Sequence, residues 1–233
     1  MGSTRLPGKV LTDVGGRTVL ARVLGRLRRA TLIEDVIVAT SNLPSDDAIV
    51  DECESLSVPC FRGSEADVLD RYYRTAQEFQ TEAIVRITAD CPLIDPRLVD
   101  ETVRVFQAHE ADYASNVIPR TYPRGLDTEV FTIEALAWAW LEARHPHQRE
   151  HVTPYFYEHP EIFKRASATA EADYSRYRWT LDTADDLELI RTIYSRFNSR
   201  DDFSWTDILA LMEREPGLVA LNSHVLQKAV VAG

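Results

Sequence analysis

The 233-residue chain is long enough for one well-cored domain, and a composition of 45% hydrophobic and 27% charged residues excludes disordered, collagenous and membrane classes. A formal net charge of −11 argues against a broad nucleic-acid surface, and no apolar run is long enough to cross a bilayer. The three cysteines, Cys53, Cys60 and Cys91, are scattered and include no CxxC pair, which points to reduced thiols and a cytoplasmic location.

Charge is uneven along the chain. Residues 1–30 carry seven basic side chains against one acid, Asp13. Arg22, Arg26, Arg28 and Arg29 read as the solvated face of a helix starting near Thr18, whose buried stripe is Val19, Leu20, Val23, Leu24 and Leu27. Arg5 and Lys9 sit instead in Gly2-Ser3-Thr4-Arg5-Leu6-Pro7-Gly8-Lys9. Glycines let a backbone approach an anion, and Ser3 and Thr4 add hydroxyl donors. Pro7-Gly8 suits the centre of a type II turn, which would converge Arg5 and Lys9 on phosphate oxygens. The P-loop spacing GxxxxGK[ST] is absent, and an ordinary turn in a basic N-terminus remains the alternative.

A β-rich run, Val36 to Thr40, follows, and Ser45 is expected to cap a helix burying Ala48, Ile49, Cys53 and Leu56. A short strand at Cys60-Phe61 leads into a helix with Val68, Leu69, Tyr72, Tyr73, Ala76 and Phe79 on one side. The strand Ala83 to Thr88 runs directly into Asp90, and Asp95-Pro96 opens the next helix. From about 116 to 175 the rhythm loosens into an inserted subregion within a single domain, 1–233. It returns with a strand at Tyr177 to Leu181 and a helix carrying Leu187, Ile190, Ile193 and Tyr194. Strand and helix alternating with short joins predict an α/β fold: a mostly parallel sheet with helices on both faces.

Asp90 and Asp182 each follow a strand, at the sheet edge where open α/β folds bind ligands. The alternatives are a turn-forming Asp90 and a helix-capping Asp182 or Thr183, with Asp185 and Asp186 serving the helix dipole. Magnesium uses one or two carboxylates plus substrate phosphates. Two strand-end aspartates facing a cationic loop therefore predict a Mg2+–nucleoside triphosphate site, from which pyrophosphate would leave in line.

GSTRLPGKVL, FRGSEADVLDRYY, VRITADCPLIDP, YPRGLDTEVF, REHVTPY and RWTLDTADDLELI together resemble the SpsF-type cytidylyltransferases, the spore-coat-polysaccharide branch of the acylneuraminate and Kdo enzymes. The resemblance spans roughly residues 1 to 197. It implies a Rossmann-like nucleotidyltransferase fold, CTP as donor, Mg2+ as cofactor, a sugar or sugar-acid acceptor and a homodimer built partly by the inserted subregion. It implies that Arg5 and Lys9 act catalytically on the triphosphate, with Gly2, Ser3, Gly8, Arg71 and Thr88 on the nucleotide side. Asp90 and Asp182 would hold the metal, and Arg124, Arg149, Glu150 and His151 would line the acceptor side. Thr88 stands where the sialic-acid and Kdo enzymes carry Gln, a departure from their pattern.

Rival readings remain. His147-Gln148-Arg149-Glu150-His151 fits the HxxEH pattern of inverted zinc peptidases. A nucleotide-sugar-dependent glycosyltransferase would share the fold, and a nucleotide-binding module without activity is a third reading. In the resembled family an apolar strand precedes the phosphate loop, whereas Met1 directly precedes Gly2 here. The fold is therefore expected to lack its first strand, with Met1 to Lys9 poorly anchored and a seam in the sheet beside the strand leading to Asp90.

Overall fold

A computed structural model describes residues 5–227. One 3-10 turn, Lys9–Leu11, precedes a small hairpin of β1 (Asp13–Val14) and β2 (Arg17–Thr18). Helix α1 (Val19–Leu27) begins where the Thr18 hydroxyl accepts from Ala21 N, satisfying one of the amides that a first helical turn leaves free. There follow β3 (Val38–Ser41), α2 (Asp47–Ser55), β4 (Cys60–Gly63), α3 (Val68–Glu78), β5 (Ala83–Arg86) and α4 (Pro96–Ala108). The looser stretch contributes β6 (Tyr113–Ser115), β7 (Glu129–Thr132), α5 (Ile133–Glu142), α6 (Pro146–His151), α7 (Pro154–Glu158) and β8 (Arg165–Ser167). Helices α8 (Ala184–Arg196), α9 (Trp205–Arg214) and α10 (Gly217–Ala220) follow, the last elements among the described residues.

The architecture is α/β, as the strand–helix alternation predicts. Strands β3 and β4 pair in parallel. The other main sheet has the order β5-β7-β6-β8 and is mixed: β7 runs antiparallel to both neighbours, and β6 and β8 are parallel. The stretch from 116 to 175 therefore supplies β7 and β8 to the same sheet that carries β5. The strand expected at Tyr177 to Leu181 is reduced to a single bridge, Arg178 with Arg124.

Among the described residues no ladder joins β3 to β5, so a seam does lie beside the strand leading to Asp90. Val36 and Val38 on one side of it, and Val85 and Ile87 on the other, are only part-buried, packing on clusters built from α1, α2 and α4. The expected loose anchoring of the first residues fails for Arg5 to Lys9, because Leu6 packs on the largest apolar cluster and Lys9 is held at three points. Met1 to Thr4 lie outside the described residues.

The arginines of α1 correct a second expectation. Arg28 and Arg29 are exposed, but Arg22 and Arg26 are 0% exposed. The Arg22 fork donates to the carbonyls of Val14, Gly15 and Ser199 and stacks on Tyr194, its carbon Cζ 4.4 Å from the ring centre. Arg26 donates to Ile94, Asp201 and Phe203 carbonyls. A guanidinium is buried where its planar fork meets that many acceptors. These two ties bind the segment after α8 to α1 and, through Ile94, to the loop that follows Asp90.

Candidate active site

The Leu6-Pro7-Gly8-Lys9 turn forms as its residues dictate: Lys9 N donates to Leu6 O at 3.3 Å, and Gly8 takes φ 69°, ψ 13°, the left-handed position of a type II turn. It presents Lys9 to two loops at once. The ammonium lies 2.6 Å from Asp90 Oδ2, 2.8 Å from Asp182 Oδ1 and 2.8 Å from the Leu181 carbonyl. Arg5 reaches the other oxygen of Asp182 at 2.8 Å. The four side chains singled out for the phosphate and metal roles thus meet in one place.

Asp90 lies past the end of β5. Its Oδ1 accepts from the Thr88 hydroxyl at 2.7 Å, and its backbone carbonyl accepts from Leu181 N at 2.8 Å, which stitches its loop to the segment before Asp182. Thr88, assigned to the nucleotide side, therefore orients Asp90. Asp182 is not the helix cap: Thr183 is, its hydroxyl accepting from Asp186 N. That leaves the Asp182 carboxylate to Lys9, Arg5 and, at 2.7 Å, Arg178. Burial alone would raise its pKa, but those cations hold it below the ordinary aspartate value. Burial likewise pulls Lys9 down, and Asp90 with Asp182 more than offsets it, so the ammonium is held above the ordinary lysine value.

Arg178, which no motif singles out, and Asp186, expected only to serve the helix dipole, complete the site. Asp186 is 0% exposed and does not merely face the helix dipole. Its Oδ2 accepts from the backbone amides of Asp182 and Thr183, and its Oδ1 from Arg178 Nε and Asn222 Nδ2. Arg178 links that carboxylate to Asp182. The available signal was alternation: Tyr177, Trp179 and Leu181 are apolar and buried, which sets Arg178, Thr180 and Asp182 on the opposite side. The Arg178 pairing holds the Asp186 pKa below the ordinary 3.8 against the pull of burial. Stability from such a group is present above that value and is lost as pH falls through the lower folded-state pKa. Asp186→Asn should therefore melt well below the wild type at neutral pH, with the deficit shrinking as pH falls below that ordinary value. A deficit that stays constant in melts across that range would contradict the pairing.

Arg124 N donates to Tyr177 O, Trp179 N donates to Arg124 O, and the Arg124 side chain makes no hydrogen bond among the described residues. Burial lowers its pKa, and the neighbouring Arg120 and Arg178 push it the same way. It is a half-buried cation beside Asp182, placed to receive an anion. Gly125 allows this placement: at φ 103° a Cβ would lie 2.5 Å from the Trp179 carbonyl carbon and 2.6 Å from Thr180 N. Backbone cannot yield as a side chain tip does. Gly125→Ala should therefore cost on the order of 2–4 kcal/mol of stability and most of the activity; a melting temperature unchanged by that substitution would refute the close approach.

The remaining assignments take other partners. Arg71 donates to Ser64 O at 2.5 Å and packs its Cγ on Gly63. Arg149 pairs with Asp67 and donates to Trp140 O, bracing α6 against α3 and α5. Glu150 is exposed, and the His151 carbonyl accepts from Thr153 N. Gly2 and Ser3 lie outside the described residues. The HxxEH pattern does not assemble a zinc centre: His147 Nε2 is 2.8 Å from Glu158, and among the described residues no three His, Cys, Asp or Glu side chains could hold a metal ion. The Asp90–Asp182 pair fits a magnesium–triphosphate site by its chemistry, since such a site needs only one or two protein carboxylates and a single cation, the Lys9 ammonium, already bridges both.

Residues 1–201 match the model of a family described as cytidylyltransferase. An uncharacterized protein of Methanocaldococcus jannaschii is 40% identical, covering 98% of this chain and 93% of its own length. The spore coat polysaccharide biosynthesis protein SpsF of Bacillus subtilis is 31% identical, covering 93% of this chain and 92% of its own length. Among solved structures, a cytidylyltransferase from Leptospira borgpetersenii serovar Hardjo-bovis superposes with a TM-score of 0.90 at 36% identity, covering 94% of this chain and 92% of that one.

Proposed function

The chain belongs to the cytidylyltransferase family, and from that premise we propose that it transfers CMP from CTP to a hydroxyl of a sugar or sugar acid, releasing pyrophosphate, in polysaccharide or glycoconjugate biosynthesis. The acceptor oxygen bonds to the α-phosphorus, the bond from that phosphorus to the β-phosphate oxygen breaks, and the hydroxyl proton passes to solvent. The observation that carries the reading is the meeting of Lys9 and Arg5 with Asp90 and Asp182 at hydrogen-bond distance. Arg5 and Lys9 would bind the triphosphate and stabilise charge on the departing pyrophosphate. Asp90 and Asp182 would hold Mg2+, which when bound supplies charge neutralisation on the phosphates. Thr88 and Arg178 keep the two carboxylates oriented, and Arg124 lies where an anionic group of either substrate would be received.

Pyrophosphate release, measured with each of the four nucleoside triphosphates against a panel of sugars and sugar acids, tests the reading. CTP with one acceptor class should give release that requires the acceptor, while sugar transfer from a nucleotide-sugar without pyrophosphate would replace it by the glycosyltransferase reading. The cytoplasmic location is supported by three free thiols. No helix among the described residues is long and apolar enough to cross a membrane. A homodimer is supported by α5, which leaves Trp138 52% and Leu141 55% exposed one helical turn apart. Trp138→Asp with Leu141→Asp should halve the mass seen by sedimentation if that face joins two copies.

A further inference from the structure

Lys9 already does at the two aspartates what a metal ion would do. Its three bonds, to Asp90 Oδ2, Asp182 Oδ1 and the Leu181 carbonyl, use all three ammonium donors. A small divalent ion holds its oxygens at about 2.0–2.1 Å. An ion bound to Asp90 Oδ2 would therefore lie less than about 5 Å from an ammonium that is itself 2.6 Å from the same oxygen. Two cations that close compete for the same charge. The charge is already matched: Asp90, Asp182 and the Asp186 carboxylate that Arg178 also pairs bring three negative charges, and Lys9, Arg5 and Arg178 bring three positive ones, so a divalent ion added with Lys9 in place would leave excess positive charge.

The three cations differ in how they are held. Arg178 is also bound by Asp186 and Gln227 and is 8% exposed, so it stays. Lys9 and Arg5 share the short loop turned by Gly8, and the Arg5 side chain is 27% exposed. These are the two cations that a triphosphate, with its own negative charge, can draw away.

We propose that Lys9 is the resident counter-ion of the Asp90–Asp182 pair in the nucleotide-free protein, and that the triphosphate draws it off with Arg5, so that divalent ion and nucleotide enter together. The inference rests on the metal role given above to the two aspartates. The lysine neutralises a dicarboxylate that would otherwise load free metal, and it delivers itself to the phosphates in the same movement that opens the metal position.

Water-proton relaxation enhancement reports Mn2+ bound to protein and reads this out without turnover. The wild-type chain should bind Mn2+ weakly alone and strongly with CTP. Lys9→Met should bind Mn2+ alone at least about tenfold tighter than wild type, and a second change, Asp90→Asn, should abolish that gain. Lys9→Arg keeps a cation on the pair and should stay closed like wild type. Circular dichroism shows whether each variant is folded, and Lys9→Gln replaces Lys9→Met if the latter is not. Equal Mn2+ uptake by wild type, Lys9→Arg and Lys9→Met without nucleotide would overturn the counter-ion role and leave the metal site standing. Absence of Mn2+ uptake by wild type even with CTP would overturn the metal reading, and the inference with it.

Discussion

Asp90→Asn should lower turnover by on the order of 10²-fold or more while leaving the fold in place. The asparagine keeps the size of the side chain, an oxygen for the Thr88 hydroxyl, and the backbone carbonyl that receives Leu181 N, so the ties between the two loops survive. What is lost is one of the two charges that face Lys9. A carboxylate that serves only as a turn former would tolerate this change, because an Asn side chain makes the same local hydrogen bonds in a turn. The check is steady-state pyrophosphate release together with a thermal melt. A variant that retains near wild-type kcat, or one that loses activity only by unfolding, contradicts the assignment. Asp182→Ala should lose activity to a similar extent. Because Thr183 caps α8, the loss should not be traceable to a melted helix.

Arg26→Met carries the largest expected cost in stability. The methionine fills much of the arginine's volume and keeps an apolar contact with the Phe203 ring, over which the guanidinium carbon now sits at 4.4 Å. It offers no donor to the Ile94, Asp201 and Phe203 carbonyls, which Arg26 meets at 2.6, 3.0 and 2.9 Å. Each buried acceptor left unsatisfied costs about 1–3 kcal/mol, so the variant should lose on the order of 3–5 kcal/mol. Replacing both partners of a buried pair with apolar groups can be neutral, but backbone carbonyls cannot be replaced. For a chain of this size the melting temperature should fall by roughly 10 °C. Arg26→Lys, with one compact ammonium for three spread acceptors, should fall in between. A change in melting temperature below about 2 °C for Arg26→Met would mean the carbonyls find other donors.

The features legible in the sequence are those fixed by neighbours in the chain. Thr18, Asp95 and Thr183 cap helices because a side-chain oxygen and the amides it receives are within a few residues of each other. The Leu6–Lys9 turn follows from Pro7 and Gly8 alone. Asp90 and Asp182 were legible because each follows an apolar run, even though the second run forms only one bridge rather than a strand. Strand order was not legible: nothing local says that β7 inserts antiparallel between β5 and β6. The burial of Arg22 and Arg26 was hidden for the same reason. Apart from Val14 and Gly15, their acceptors lie between Ile94 and Phe203, and an arginine at helical spacing looks the same whether water or distant carbonyls receive it. Asp186 was read as a dipole partner because its position in the first turn of α8 is local, while its bond to Asn222 is not. The ion pair of Arg149 with Asp67 was likewise not legible, because no pattern around Arg149 marks a residue 82 positions earlier.

The central claim is that the Gly8 loop and the two aspartates form one nucleotide and metal site. Diffraction from crystals grown with CTP and Mn2+ tests it directly. The account predicts an anomalous peak about 2 Å from carboxylate oxygens of Asp90 and Asp182, the coordination distance of a small divalent ion, with the triphosphate held by Arg5 and Lys9. Mn2+ and CTP bound together elsewhere on the protein, with Lys9 still seated on the two aspartates, would contradict it.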